Sequence, residues 1–135
     1  MAIMTLEQIV NDTDLAPSQK NRLLEIIKER SINSLVEEVH LNARNHGFWD
    51  KDREFGTLLM LIVREISESL EEYRDNKPAI YHIDGKPEGI AIELIDAVLR
   101  IMDLFGHEGW DFQRALEMKH AYNLTRQHMH GGKKI

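Results

Sequence analysis

The sequence contains no cysteine among its 135 residues. That excludes a disulfide framework, a thiolate zinc site and a cysteine nucleophile. Proline is scarce, with three, and only eight glycines punctuate the chain. No uninterrupted apolar run approaches the roughly 18 residues that a membrane span requires. The first residues have no basic stretch leading into an apolar one, so a cytoplasmic rather than a secreted protein is expected. Basic charge is in deficit as well. The 17 Lys and Arg against 23 Asp and Glu leave a net charge of −6, which argues against a broad nucleic-acid surface. What is present is an ordinary globular composition, 42% hydrophobic and 30% charged, long enough for one domain with a core.

Apolar residues recur with helical rather than alternating period, and no internal repeat or low-complexity tract interrupts them. Residues 5–10 make a short helix at most, followed by a polar turn at 11–14. Ser18 is expected to cap a helix running to about residue 30, with Leu23, Leu24, Ile26 and Ile27 as its apolar face. A helix over about 32–46 turns Leu35, Val36, Val39 and Ala43 inward and stops at Gly47. Asp52 or a neighbour starts a long helix through Arg74, and residues 76–86 form a loop whose only candidate strand is 79–83. Pro87 suits the first turn of the next helix, which ends at Gly106. Asp111 caps a last helix to about Gln127, before a polar tail. The expected fold is all-α, a helical bundle spanning residues 32–135 with a helical extension, residues 1–31, packed on it.

The helix after Pro87 is the most informative stretch. Between Ile90 and Phe105 only Glu93, Asp96, Arg100 and Asp103 are polar, and at 100° per residue they share one narrow stripe. A helix apolar around most of its circumference is buried, so its acidic stripe is expected inside. A buried carboxylate must be protonated, paired with a cation or bound to metal. The preceding helix carries a main apolar stripe, Phe55, Leu58, Leu59, Ile62, Ile66, Leu70 and Tyr73. Along its edge runs a ribbon of Leu61, Glu65, Glu68 and Glu72. Two consecutive helices therefore each offer a pair of acids three residues apart, with 24 residues between Glu68 and Glu93. Four carboxylates converging from facing helices form an all-oxygen site suited to a hard divalent cation, Mg²⁺ above all. The alternative is a solvated acidic face with Arg64, Arg74 or Arg100 as ion-pair partners.

The ordered pattern Glu65-x-x-Glu68, then Glu93-x-x-Asp96, resembles the ExxE…ExxD signature of the MazG-like, all-α nucleoside triphosphate pyrophosphohydrolases. The likeness extends to His46-Gly47-Phe48-Trp49-Asp50 and to Lys86-Pro87-Glu88-Gly89-Ile90. It continues through Lys119-His120-Ala121-Tyr122-Asn123-Leu124-Thr125-Arg126 to the His130-Gly131-Gly132-Lys133 tail, covering about residues 35–134. The resemblance implies hydrolysis of a nucleoside triphosphate, deoxy or modified, to monophosphate and pyrophosphate. Glu65, Glu68, Glu93 and Asp96 would then hold Mg²⁺, with Mn²⁺ as a substitute. One of Glu65, Glu68 or Glu72 would orient the attacking water. It also implies a homodimer or a dimer of dimers.

Lys119, Asn123 and Arg126 fall on one helix face, and the resemblance places them, with tail Lys133, on the substrate phosphates. For the base, Trp49 is the expected stacking residue. Phe48 is the next candidate, although a core position suits it better. His46 and Tyr122 are further candidates for lining a base pocket, and Trp110 reads as packing. The loop at 75–85 and the first thirty or so residues lie outside the resemblance.

Two rival readings stand beside this one. Glu37-x-x-His40 and Glu117-x-x-His120 are both ExxH pairs, the signature of ferritin-like di-iron carboxylate bundles. The order of elements fits that scheme poorly, and Glu38, Lys119 and Arg126 would crowd such a centre. The other rival is a non-catalytic helical interaction module, whose acids merely pair with basic residues.

Overall fold

The structure is a computed structural model that describes residues 6–29 and 31–129. Two short-range devices start the chain. Helix α1 (Leu6–Asn11) packs against α2 (Pro17–Glu29) and buries Val10. Pro17 rather than Ser18 opens α2, because proline's missing N–H costs nothing at a first helical position. The Ala16 amide is instead taken up by the Gln19 side-chain oxygen at 2.9 Å.

Three of the following helices begin at side-chain caps. Ser31 Oγ accepts the Ser34 amide at 3.2 Å and starts α3 (Ile32–Asn45). Glu54, not Asp52, starts α4 (Phe55–Arg74), its carboxylate accepting the Gly56 and Thr57 amides at 2.8 and 2.6 Å. Those two amides, joined by the Thr57 hydroxyl, hold the Glu54 carboxyl below its ordinary range. Asp111 caps α6 (Phe112–Leu124), which ends at Leu124 rather than near Gln127. Its carboxylate also accepts from Asn33, fastening the start of α6 to the start of α3.

Between α4 and α5 (Ile90–Glu108) lies a two-stranded antiparallel hairpin, β1 (Tyr81–Ile83) and β2 (Lys86–Glu88). Asp84 and Gly85 both take positive φ, +50° and +80°. This is the primed turn whose twist matches paired strands. Pro87 therefore sits in β2 opposite His82, and α5 starts three residues later than expected. The chain breaks from strand to helix at Gly89, at φ +120°, where an added Cβ would lie 2.3 Å from the Ala79 carbonyl oxygen. That oxygen accepts the Ala91 amide at 3.0 Å, so it cannot retreat freely. Gly89→Ala is accordingly expected to cost about 2 kcal/mol or more, measured by thermal denaturation. A loss below about 0.5 kcal/mol, the size of an ordinary surface change, would mean that residues 78–79 yield without strain.

Helix α5 is central, with α4 on one flank, α3 on the other and α6 against α3. At the α3–α5 crossing a Cβ on Gly106 would lie 2.5 Å from His40 Cβ, so only glycine permits this approach. The fold is all-α apart from the small hairpin. No helix among the described residues is long and apolar enough to cross a membrane.

The rotation of α4 differs from what its apolar stripe suggests. Within the single chain the buried line is Leu58, Glu65 and Ser69, while Ile66, Leu70 and Tyr73 are 50%, 53% and 68% exposed. The acidic edge of the helix, rather than the centre of its apolar stripe, meets α5. On α5 the line through Glu93, Ala97 and Leu104 is buried, and Leu94 and Ile95 face outward.

Candidate metal centre

Because α4 and α5 meet along their acidic ribbons, Glu65, Glu93 and Asp96 present carboxylate oxygens that all lie within 4.8 Å of one another. Glu65 and Glu93 are buried, at 6% and 9% exposure, and Asp96 is partly covered. Glu65 is paired: the Arg100 guanidinium donates to it through Nε. Glu93 has no such partner among the described residues: no hydrogen bond or ion pair reaches its carboxylate, whose oxygens stay open to solvent at the mouth of the cluster. Burial, followed by the charges of Glu68, Asp96, Glu65 and Glu88, pushes Glu93 up to about 7. Burial and then Glu65 raise Asp96 too, with Arg100 and Lys86 opposing.

A second group adjoins the first through Glu93. Glu72, Glu88 and Glu93 also bring carboxylate oxygens within 4.8 Å of one another. Glu88 arrives from the hairpin. The Tyr81 hydroxyl donates to Glu72, 2.8 Å from Oε2 and 3.0 Å from Oε1, and pins the hairpin to α4. That bond, more than burial or the Coulomb contributions, pushes the Tyr81 phenol up to about 12, so it remains a donor at neutral pH.

Of the four acids expected from sequence, three come together. Glu68 sits beside them, ion-paired with Arg64 one turn away at 3.0 Å, while its charge still acts on Glu93. Glu72 lies in the adjoining group. Sequence reasoning missed Glu88 and Tyr81. The signal available was the Asp84-Gly85 pair between Tyr81-His82-Ile83 and Lys86-Pro87-Glu88, which is a hairpin pattern.

The oxygen-only donor set, and a Glu93 carboxylate that no protein donor occupies, fit a hard divalent cation. No histidine belongs to either group. His40, of the first ExxH pair, bonds Asp103 through Nδ1 at 2.7 Å, and Glu117, of the second, accepts from Gln113. The residues of a di-iron centre are thus not gathered among the described residues.

Asp103, last of the polar stripe on α5, organises the region beyond Arg100. Its carboxylate accepts the Trp49 indole N–H at 2.9 and 3.1 Å as well as the His40 contact. Trp49 is stacked on His107, with ring centroids 3.8 Å apart, and Arg53 lies 5.4 Å from the Trp49 ring centroid. A cavity of about 20 Å³ lies between Trp49, Arg53, Arg100 and Asp103, floored by Leu58, Leu61 and Leu104. It has room for about one water, and through Arg100 it adjoins the carboxylates. Trp110 packs edge-on against Phe105 and Phe55.

The other expected contacts are scattered. Phe48 is 58% exposed, not core, because it lies in the turn that follows α3. His46 is exposed and bonds the Asn42 carbonyl at 2.8 Å. Tyr122 is exposed, with Lys119 and Arg126 against its ring at 5.0 and 5.8 Å. Since α6 packs on α3, the chain does not bring Lys119, Asn123 and Arg126 to its own carboxylates. Lys133 lies outside the described residues.

Comparison with known proteins returned nothing: no family model, no curated protein and no solved structure matches this chain.

Proposed function

We propose that a chain with this carboxylate centre is a Mg²⁺-dependent nucleoside triphosphate pyrophosphohydrolase of the MazG-like type, acting on deoxy or modified nucleotides in the cytoplasm. The observation that carries the reading is the convergence of Glu65, Glu93 and Asp96 from two facing helices, with the Glu93 side chain largely covered and its carboxylate free of any protein donor. The ExxE…ExxD pattern adds to it. Glu65, Glu93 and Asp96 would hold the cation, with Glu68 joining when it leaves Arg64. Bound there, Mg²⁺ would neutralise phosphate oxygens and acidify water. Arg100, paired with Glu65, would give way to the cation. Glu72, fixed by Tyr81, holds a carboxylate oxygen in place to accept a proton from the attacking water. The cavity beside Trp49 lies next to Arg100, where the base end of a substrate would rest if Arg53 or His107 left the indole face.

A second copy of the chain completes the proposal. Few large side chains are buried among the described residues, and α4 and α5 leave several exposed, Leu59, Ile66, Leu70, Leu94 and Ile95 among them. Exposure of this kind calls for a cover, and a self-complementary pairing is the commonest one. Phosphate contact by Lys119, Asn123 and Arg126 goes with that assembly, because α6 lies away from the carboxylates of its own chain. The described part of the extension, α1 and α2, packs chiefly on itself, and in the assembly it would lie on the bundle or at that interface.

A panel of nucleoside triphosphates incubated with and without Mg²⁺ tests the reading. The expected products are monophosphate and pyrophosphate, only when Mg²⁺ or Mn²⁺ is present. Orthophosphate as the sole phosphate product, or turnover indifferent to divalent cation, would reject it.

A further inference from the structure

The hairpin was not part of the expected site, yet its register aims one of its faces at the carboxylates. Side chains two apart on a strand share a face, so Lys86 and Glu88 point the same way. Tyr81, directly opposite Glu88, shares that face. Tyr81 reaches Glu72, and Glu88 lies within 4.8 Å of Glu72 and Glu93 oxygens. The face is therefore turned to the metal centre, and Lys86 stands at its outer rim. The Lys86 ammonium touches Glu88 Oε1 at 2.7 Å, with the side chain 76% exposed. We propose that Lys86 is a phosphate-binding residue, resting on Glu88 until a polyphosphate bound at the carboxylate centre draws its ammonium onto a phosphate oxygen.

Three observations favour this over a purely structural ion pair. The pair is too open to hold the hairpin, which Tyr81–Glu72 and the Ala79–Ala91 backbone bond already fasten. The Lys86 charge acts beyond Glu88: Glu93 and Asp96 both feel it, after Glu88 itself. Of the paired cations at the cluster Lys86 is the most exposed, 76% against 66% for Arg64 and 37% for Arg100, so it is the freest to leave its carboxylate. A compact ammonium on a flexible four-carbon stem is also the side chain that can change partner over a few ångströms. The strained turn at Gly89 fixes where that stem is rooted.

The inference rests on the proposed hydrolase reading and deepens it, so its test needs separate arms. Isothermal titration calorimetry on the full chain would measure Mg²⁺ alone, then inorganic tripolyphosphate at saturating Mg²⁺. For Lys86→Met, tripolyphosphate is expected to bind about tenfold more weakly, the scale of one lost charge-assisted contact. Mg²⁺ alone should bind unchanged or slightly tighter, because a competing positive charge has gone. Lys86→Arg should restore most of the tripolyphosphate affinity. If Lys86→Met leaves tripolyphosphate binding within twofold, or weakens Mg²⁺ by the same factor, the Lys86 assignment is overturned while the metal centre stands. If the wild-type chain binds neither Mg²⁺ nor tripolyphosphate, the hydrolase reading falls and takes this assignment with it.

Discussion

Mg²⁺ at a hundredfold excess over its dissociation constant is expected to stabilise the folded chain by about 2.7 kcal/mol, or about 8 °C in Tm at this length. Glu93→Gln should abolish most of that rise. The reason lies in the metal-free state, where the Glu93 side chain is largely covered, faces other acids without a donor or a cation of its own, and is pushed up to about 7. The sign follows from linkage. The folded chain holds this proton more tightly than the unfolded chain, whose glutamate titrates near 4.5. The contribution of Glu93 to stability is thus greatest below pH 4.5 and declines as pH rises through about 7. Because the Glu93 oxygens meet solvent, screening keeps the decline well below the roughly 3 kcal/mol that a full shift would give. Glu54 and Asp111, whose carboxyls are held low, lose their stabilisation at more acidic pH and leave this window clear. Thermal scans from pH 5 to 8 should therefore slope downward without metal, flatten with Mg²⁺ and slope less steeply in Glu93→Gln, where Asp96, also held above its ordinary range, still acts in the same direction. A Glu93→Gln chain that responds to Mg²⁺ like wild type would falsify the site.

Arg100→Met is expected to act in opposite directions on the two states. Without metal the substitution leaves Glu65, 8% exposed in its side chain, facing the other acids with no cation. Breaking a buried pair costs about 3–5 kcal/mol and an exposed one under about 1. Since Arg100 is 37% exposed, a loss of about 2 kcal/mol is expected. With Mg²⁺ the order reverses, because Arg100 and the cation compete for the Glu65 carboxylate. Calorimetry should show Mg²⁺ binding several-fold tighter, and the Mg²⁺-induced rise in Tm should exceed that of wild type. Weaker Mg²⁺ binding in Arg100→Met would instead mean that the guanidinium holds Glu65 in its ligating orientation.

Much of the local structure was legible from sequence because it depends on neighbours in the chain. The helical period marked α2 through α6, and Asp111 acts as the cap its position suggested. The spacing of three between Glu93 and Asp96 already placed both acids on one face, and the apolar surroundings of that pair pointed inward. The hairpin was largely missed. Pro87 reads as a helix start when judged alone, and only the Asp84-Gly85 turn makes it a strand residue.

Sequence alone determined that this chain would be helical and that two of its helices would carry acids beside apolar residues. Periodicity does that, since each side chain's direction follows from its place in the turn. Tertiary structure decided how far each helix rotates, and so which ribbon is covered. In α4 the apolar stripe and the acidic edge lie side by side, and only packing against α5 turns Glu65 inward and Ile66 outward. It also decided that Glu88, carried on a hairpin between the helices, reaches the same carboxylates, with Lys86 paired to it. Such contacts depend on chain segments meeting in space, which no local repeat encodes.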